Sequence, residues 1–336
     1  MGKRMDNASI CHYSLYGLTI AVRCEGNGVE DEIQKLFNPF PFMKLSDTGT
    51  PVHLNLQFTS TEVPVKSPDA ASVPFSCYDV SIFRLDDTVY ITDGSSLFQL
   101  NPYEGSGILT IHGSFQEKTS LSKYNLFLIG LIHLLSPRGV YELHAASLVR
   151  DGLGFLLLGD SGSGKSTATL SLVNQGWHYV SDDALLMKCF ESRVEVFAFR
   201  NKFYLDPQLV RHYPEILPYL EESTSGAGTK RFLDVTSLYP DQFCSQAVPK
   251  ILLFTSIVSE PESRLIPVDP TSALVRLTRQ SASLLFNRET AKNHLEALKQ
   301  LVYQTDSYQL LAGRDLYEEP EKITEVLSGI VPRPKV

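Results

Sequence analysis

The sequence has few cysteines, no excess of positive charge and no long apolar run. Its five cysteines are an odd number, lie far apart and include no C-x-x-C pair, which predicts reduced thiols instead of a disulfide framework. The eight histidines show no metal-ligand spacing, so we expect no zinc site. With 38 acidic and 30 basic residues, the chain lacks the clustered positive charge that a broad nucleic-acid surface needs.

A membrane-crossing segment is also missing from the sequence. The most apolar stretch, LFLIGLIHLL at residues 126–135, has half of the about 20 residues that a spanning helix requires. It predicts a buried core helix. The first residues, MGKRMDNAS, do not resemble a secretory signal. We therefore expect a cytoplasmic protein that binds neither membrane nor nucleic acid.

The 336 residues are enough for two domains. Alternating segments such as HYSLYGLTIAV and SIFRLDDTVYITDG predict strands over residues 10–115, with a hairpin turn at Asp86 and Asp87. From residue 120 onward the pattern becomes helical and then alternates between strand and helix, which is typical of an α/β layer. We place a β-rich N-terminal domain at residues 1–116 and an α/β domain at 117–336.

Within the α/β domain expected at 117–336, the hydrophobic pattern predicts alternating strands and helices. Strands are expected at 140–149, 154–158, 177–181, 194–199, 250–258 and near 307–311. Helices are expected at 165–175, 271–285, 288–304 and 319–328.

GDSGSGKS at residues 159–166 matches the phosphate-loop motif G-x-x-x-x-G-K-[ST]. An apolar strand, FLLLG, precedes it and a helical segment follows. Glycines let backbone N–H groups approach phosphate oxygens, and the helix N-terminus favours negative charge. We expect the loop to bind ATP, with Lys165 on the β- and γ-phosphates and the Ser166 hydroxyl on Mg²⁺. The nucleotide-binding residues are Gly159, Asp160, Ser161, Gly162, Ser163, Gly164, Lys165, Ser166 and Thr167.

Simple geometry brings Asp182 and Asp183 to the same place. A helix from Lys165 to Gln175 runs about 16 Å away from the loop, and the strand WHYVS returns about as far. The two carboxylates then lie level with the phosphates. One can bind Mg²⁺ while the other accepts a proton from an attacking hydroxyl. The alternative is a solvated Asp-Asp turn.

His144 is the third candidate. The Asp151-Gly152 dipeptide predicts a hairpin between YELHAASLV and GFLLLG. If Val149 pairs with Gly154, continuing the register backwards puts His144 opposite Gly159. A histidine there could contact phosphate or carry a proton, whereas an ordinary core histidine is the alternative.

Together, His144, the phosphate loop and the segment LSLVNQGWHYVSDD resemble the catalytic domain of HPr kinase/phosphorylase. The resemblance is specific over roughly residues 140–188. It implies a P-loop kinase core of the type shared with ATP-dependent phosphoenolpyruvate carboxykinases. It also implies that Asp183 is the base that deprotonates an acceptor serine, that Asp182 assists it and binds Mg²⁺ with Ser166, and that His144 lies near the transferred group.

The chain departs from that family after residue 188. The glycine-bearing loop with a metal-binding glutamate is replaced by VEVFAFRNKFYLDP at 194–207, where Arg200 and Lys202 are expected to contact phosphate. Lys230 and Arg231, in a Gly- and Ser-rich segment, are expected to close over ATP or product, and an ordinary solvated loop is the alternative. Because of this departure, neither the reverse phosphorylase reaction nor HPr as the substrate is carried over.

The sequence thus predicts a kinase that uses ATP and Mg²⁺ to phosphorylate a serine or threonine of a peptide or small protein. Chains with a β-rich first unit resemble the tailoring kinases of lasso-peptide biosynthesis, in which the first unit would dock the precursor peptide. A small-molecule kinase and a nucleotide-dependent switch are the alternatives. The oligomeric state stays open, and a homo-oligomer is compatible with the sequence.

Overall fold

In a computed structural model, the described residues are 10–26, 28–46, 49–68, 75–77, 79–118, 120–191, 193–221 and 231–330. The chain divides into two compact units, Met1–Arg138 and Gly139–Val336. This division lies at 138/139, whereas the sequence pattern places a boundary at 116/117. The difference is the helix at Ser120–Leu135, which belongs to the first unit.

The first unit contains, within its described residues, a nine-stranded mixed sheet and two α-helices. Its strands are β1 (Ile10–Leu15), β2 (Leu18–Glu25), β3 (Met43–Leu45), β4 (Leu54–Thr61), β5 (Phe75–Cys77), β6 (Val80–Leu85), β7 (Thr88–Thr92), β8 (Leu97–Asn101) and β9 (Ser106–His112), and its helices are α1 (Val29–Phe37) and α2 (Ser120–Leu135). The order across the sheet is β3-β1-β2-β4-β9-β8-β7-β6-β5. The β6–β7 hairpin turns at Asp86 and Asp87, as predicted.

Aromatic packing joins α2 to the first sheet. The ring of Phe127 on α2 lies 6.0 Å from that of Phe98 on β8 and 5.2 Å from that of Phe37 on α1. Phe98 and Phe127 are fully buried. The prediction of a buried core helix at 126–135 is therefore confirmed, and its core is that of the first unit.

The second unit is a mixed α/β structure. Its strands are β10 (Val140–Leu143), β11 (Ala146–Arg150), β12 (Leu153–Leu158), β13 (His178–Ser181), β14 (Leu185–Phe190), β15 (Arg193–Ala198), β16 (Phe203–Leu205), β17 (Arg231–Leu233), β18 (Gln246–Ala247), β19 (Pro249–Ile257), β20 (Arg264–Pro267) and β21 (Asp306–Ala312). Its helices are α3 (Lys165–Asn174), α4 (Val235–Leu238), α5 (Pro270–Arg279), α6 (Ser283–Phe286), α7 (Ala291–Gln304), α8 (Arg314–Glu318) and α9 (Ile323–Ser328).

These strands form three sheets in the described part of the unit. The central one has six strands in the order β13-β11-β12-β19-β21-β20, a second has the order β10-β14-β15-β18, and β16 pairs with β17. Helix α3 packs on the central sheet and buries Leu170, Leu172 and Val173. A strand lies at each predicted strand segment, but the single strand expected at 140–149 is two strands, β10 and β11, in two different sheets. The helix expected at 271–285 is also two, because α5 ends at Arg279 and α6 begins at Ser283. The helix expected at 319–328 is a 3-10 turn at Pro320–Lys322 followed by α9.

Four cysteines, Cys11, Cys24, Cys189 and Cys244, carry free thiols. Across the described ranges, no helix combines the length and the hydropathy that crossing a membrane requires.

Candidate active site

Several strands of the central sheet end at one edge. β12, β19 and β21 are parallel, and β13 runs in the same direction because β12 and β13 are each antiparallel to β11. The phosphate loop follows β12, and Asp182 and Asp183 follow β13. Open α/β sheets bind ligands at this edge. The prediction that the loop and the acid pair share an edge is therefore confirmed.

Residues 159–164 make the turn from β12 into α3. Gly164 immediately precedes the helix and has a φ of 90°, which only glycine adopts at little cost. At Gly159, where φ is 154°, a Cβ atom would lie 2.6 Å from the Ser163 Oγ and 2.8 Å from the Thr255 carbonyl oxygen. Both positions therefore require glycine.

Lys165 folds back over the loop. Its Nζ donates to the carbonyl oxygen of Gly159 and, at 3.3 Å, to that of Asp160. The side chain is buried, whereas Ser166 and Thr167, in the first turn of α3, are partly exposed. An ammonium group beside the N-terminus of a ten-residue helix is suited to bind phosphate.

Thr255 anchors the loop from the neighbouring strand β19. Its hydroxyl donates to the carbonyl oxygen of Leu158 at 3.2 Å and lies 3.0 Å from the hydroxyl of Ser163. The residue is buried. Nothing in the surrounding sequence, KILLFTSI, distinguishes this threonine from an ordinary strand residue, so sequence reasoning missed it.

Asp182 is completely buried, and both of its carboxylate oxygens have protein partners. Oδ2 accepts a hydrogen bond from the Tyr204 N–H at 2.7 Å, and Oδ1 lies 3.5 Å from Nη2 of Arg200. Burial raises the pKa of Asp182 to about 6, the Arg200 guanidinium opposes the rise, and the Asp183 carboxylate adds to it. Each of these oxygens makes one of the two contacts and has a second lone pair, so Asp182 can bind a metal while it keeps both contacts.

Arg200 lies between the acid pair and two aromatic rings. Its Nη2 is 3.0 Å from Oδ2 of Asp183, and its guanidinium carbon is 5.6 Å from the ring centre of Tyr204 and 5.7 Å from that of Phe232. Only 3% of the side chain is exposed. The structure therefore shows Arg200 neutralising the two carboxylates, and its contact with phosphate stays a prediction.

His144 and Asp183 form the partly exposed side of this cluster. The His144 Nε2 lies 3.3 Å from Oδ1 of Asp183, and 36% and 23% of the two side chains are exposed. Asp183 is thus the member of the acid pair that solvent can reach. A carboxylate oriented by an arginine and a histidine is suited to accept a proton from a hydroxyl group.

The predicted register of the hairpin is confirmed, since Val149 pairs with Gly154 and Leu148 with Phe155. The ladder ends at Ala146, however, so His144 lies beyond the last paired residue. Its backbone N–H donates instead to the carbonyl oxygen of Gln280 at 2.9 Å. The position opposite Gly159 is therefore not a strand pair.

Glu142 is a third carboxyl group near the site that sequence reasoning missed. It lies on β10, which ends at Leu143, one residue before His144. Burial, and the Asp183 charge to a smaller extent, raise the pKa of Glu142 to about 8. The available signal in the sequence is that Glu142 stands two residues before His144.

We expect the pH dependence of stability to reveal Glu142. Between its ordinary pKa of 4.5 and about 8, the folded chain holds a proton that the unfolded chain releases, so stability falls as pH rises through this window. Glu142→Gln removes this contribution. Denaturant unfolding at about pH 5 and about pH 8 should show the variant gaining stability relative to the wild type as pH rises. Glu191→Gln, at an exposed position, is the control, and an equal difference at both pH values contradicts the expectation.

Three further basic residues are predicted to contact the nucleotide, and the structure shows other contacts for two of them. Lys202 forms an ion pair with Glu221, and Arg231 begins β17, where it pairs with Leu205. Lys230 lies outside the described residues. The nucleotide contacts expected of Lys202, Lys230 and Arg231 stay predictions.

The described residues contain no group of three or more His, Cys, Asp or Glu side chains that could hold a metal ion. Magnesium that arrives with ATP needs only one or two protein oxygens, because phosphates and water supply the other ligands. The Ser166 hydroxyl, in the first turn of α3, and a carboxylate at the same sheet edge are such oxygens. The residues present therefore fit a nucleotide-bound Mg²⁺.

Comparison with known proteins points to one group of enzymes. The chain is 28% identical over 186 residues to an HPr kinase/phosphorylase of Limosilactobacillus reuteri, covering 55% of this chain and 45% of that protein. It is 38% identical over 77 residues to the HPr kinase/phosphorylase of Mycoplasmopsis pulmonis, covering 23% and 24% of the two chains. It is 40% identical over 88 residues to the HPr kinase/phosphorylase of Peptoclostridium acidaminophilum, covering 26% of this chain and 23% of that protein. The chain is similar to HPr kinase/phosphorylases.

This similarity is partial, since the chain spans less than half the length of each of these relatives. No family model matches the sequence. Among solved structures, the Hpr(Ser) kinase/phosphatase of Coxiella burnetii aligns with 56% of this chain and 97% of its own, at 16% identity and a TM-score of 0.30. A score of that size does not establish a shared fold.

Proposed function

We propose that this protein is an ATP- and Mg²⁺-dependent kinase that phosphorylates a serine or threonine hydroxyl of a peptide or small protein. The position of Asp183 carries the proposal. A partly exposed carboxylate, held by Arg200 and His144, lies at the same sheet edge as a phosphate loop. A nucleotide switch needs the loop but has no need of a proton acceptor for an alcohol. The partial similarity to HPr kinase/phosphorylases supports the same reaction class.

In this mechanism, Asp183 accepts the proton of the acceptor hydroxyl as its oxygen attacks the γ-phosphorus. The new oxygen–phosphorus bond forms while the bond from the γ-phosphorus to the β–γ bridging oxygen breaks, and ADP leaves with the electron pair. The proton on Asp183 is then 3.3 Å from the His144 Nε2, which can relay it to solvent.

Other residues bind and orient the nucleotide. The Lys165 ammonium exchanges its contacts with the Gly159 and Asp160 carbonyl oxygens for phosphate oxygens. Ser166 and Asp182 would hold Mg²⁺, which when bound neutralises charge on the β- and γ-phosphates. Arg200 keeps the two neighbouring carboxylates from repelling each other and orients Asp183.

A transfer assay tests the proposal. The protein is incubated with ATP, Mg²⁺ and serine-containing peptides, and mass spectrometry should detect a gain of one phosphate that requires both ATP and Mg²⁺. Metabolite phosphorylation without peptide phosphorylation would support a small-molecule kinase. Release of ADP with no phosphorylated product would support a switch, and either result refutes the proposal.

The finer proposal is that the acceptor is a ribosomal precursor peptide of the lasso class, docked by the β-rich first unit. It rests on the resemblance in sequence organisation. Precursor peptides should be phosphorylated with a higher kcat/KM than scrambled peptides of equal composition. Equal rates on both would reject the precursor class and leave the kinase reaction standing.

A further inference from the structure

Gln280 lies where α5 ends, and that helix fixes its position. Asp269 caps the start of α5 by accepting a hydrogen bond from the Ser272 N–H at 3.0 Å. The core-facing side chains Ala273 and Leu277 are completely buried. The Gln280 N–H donates to the Leu277 carbonyl oxygen at 3.0 Å. Gln280 itself is 8% exposed, so its polar groups are presented from a rigid support.

These polar groups contact both sides of the β11–β12 hairpin. The carbonyl oxygen of Gln280 accepts the N–H of His144 at 2.9 Å. Its side-chain Nε2 donates to Oδ1 of Asp160, the second residue of the phosphate loop, at 3.3 Å. The strand ladder of the hairpin stops at Ala146 and Leu157. Gln280 therefore bridges the two chain segments beyond the point where strand pairing holds them together.

We propose that Gln280 is a positioning residue that sets the phosphate loop relative to the His144–Asp183 pair. The inference rests on the proposed nucleotide site. Phosphoryl transfer depends on aligning the attacking and leaving groups, and the loop and the pair stand on opposite sides of the bridge. Because the backbone contact to His144 survives any substitution, the side-chain contact to Asp160 can be tested alone.

Exchanging the donor and the acceptor of this hydrogen bond tests the contact. Gln280→Glu puts a carboxylate against that of Asp160, and we expect it to raise the Kd for ATP about tenfold, the factor carried by one charge-assisted hydrogen bond. It should also lower kcat. Asp160→Asn in the same chain offers an N–H donor to the new carboxylate and should return both values to within about threefold of the wild type. Gln246→Glu, at an exposed position of the same unit, is the matched control and should change neither value.

The measurements are the Kd of a fluorescent ATP analogue and the KM and kcat of phosphoryl transfer, on protein shown by thermal melting to be folded. If Gln280→Glu does not fold, Gln280→Ala takes its place, with an expected increase in Kd of about threefold. An unchanged Kd in the folded variant, or an increase that Asp160→Asn does not reverse, overturns the proposal. Because nucleotide binding is measured directly, the test remains decisive even if no acceptor is ever phosphorylated.

Discussion

Asp183→Asn should lower the rate of phosphoryl transfer about 100- to 10,000-fold, the contribution of a positioned general base. Asparagine has nearly the same shape as aspartate and can still accept a hydrogen bond from Arg200 or His144. It cannot take the acceptor's proton. The loss should appear in kcat, while the affinity for ATP changes little, because Lys165 and the phosphate loop remain intact.

Single-turnover transfer to the acceptor peptide, with nucleotide affinity measured separately, checks this expectation. Asp151→Asn is a matched control, since Asp151 is a hairpin-turn residue with 86% of its side chain exposed. Its φ of 50° lies in the left-handed region that asparagine tolerates. This variant should transfer phosphate at the wild-type rate. Near-normal transfer by Asp183→Asn would remove Asp183 as the base.

The edge that carries the site was predictable from local sequence. The phosphate-loop motif defines a strand, a turn and a helix, and the lengths of α3 and β13 return the chain to its starting edge. Only two general facts were needed, the rise per residue of helices and that of strands. These two distances alone place Asp182 and Asp183 at the edge that carries the phosphate loop.

The contacts that orient these residues were not predictable, because they join distant parts of the chain. Gln280 is 120 residues from Asp160, and Thr255 is 92 residues from Ser163. Tyr204 contacts Asp182 through its backbone N–H, which any residue except proline could supply. Residue type carries little information in such cases, so they emerge only from the folded chain.

The helix at Ser120–Leu135 shows that local sequence also fails to predict which of the two units a helix belongs to. Its apolar composition correctly predicts burial. Composition does not say which sheet covers a helix, however, and the change from strand to helix near residue 120 resembles a domain boundary. The Phe98–Phe127 ring contact assigns the helix to the first unit.

Arg200→Met should destabilise the protein by about 3–5 kcal/mol at neutral pH, the usual cost of removing one partner from a buried ion pair. Arg200 and Asp182 are 3% and 0% exposed, so no solvent replaces the guanidinium. Methionine keeps an apolar stem against the rings of Tyr204 and Phe232 and thereby limits the loss to charge. Adding Asp182→Asn should restore much of the stability, because it removes the buried charge that the first substitution left unpaired.

The loss of stability caused by Arg200→Met should also depend on pH. With Arg200 present, the pKa of Asp182 is about 6 against an ordinary 3.8, so ionising this residue already costs stability as pH rises through that window. Without Arg200 the pKa rises further, and the cost extends to higher pH. Urea unfolding should therefore show a smaller deficit at about pH 5 than at about pH 8. A pH-independent deficit, or no recovery when Asp182→Asn is added, would show that Arg200 stabilises the site by packing and not by its charge.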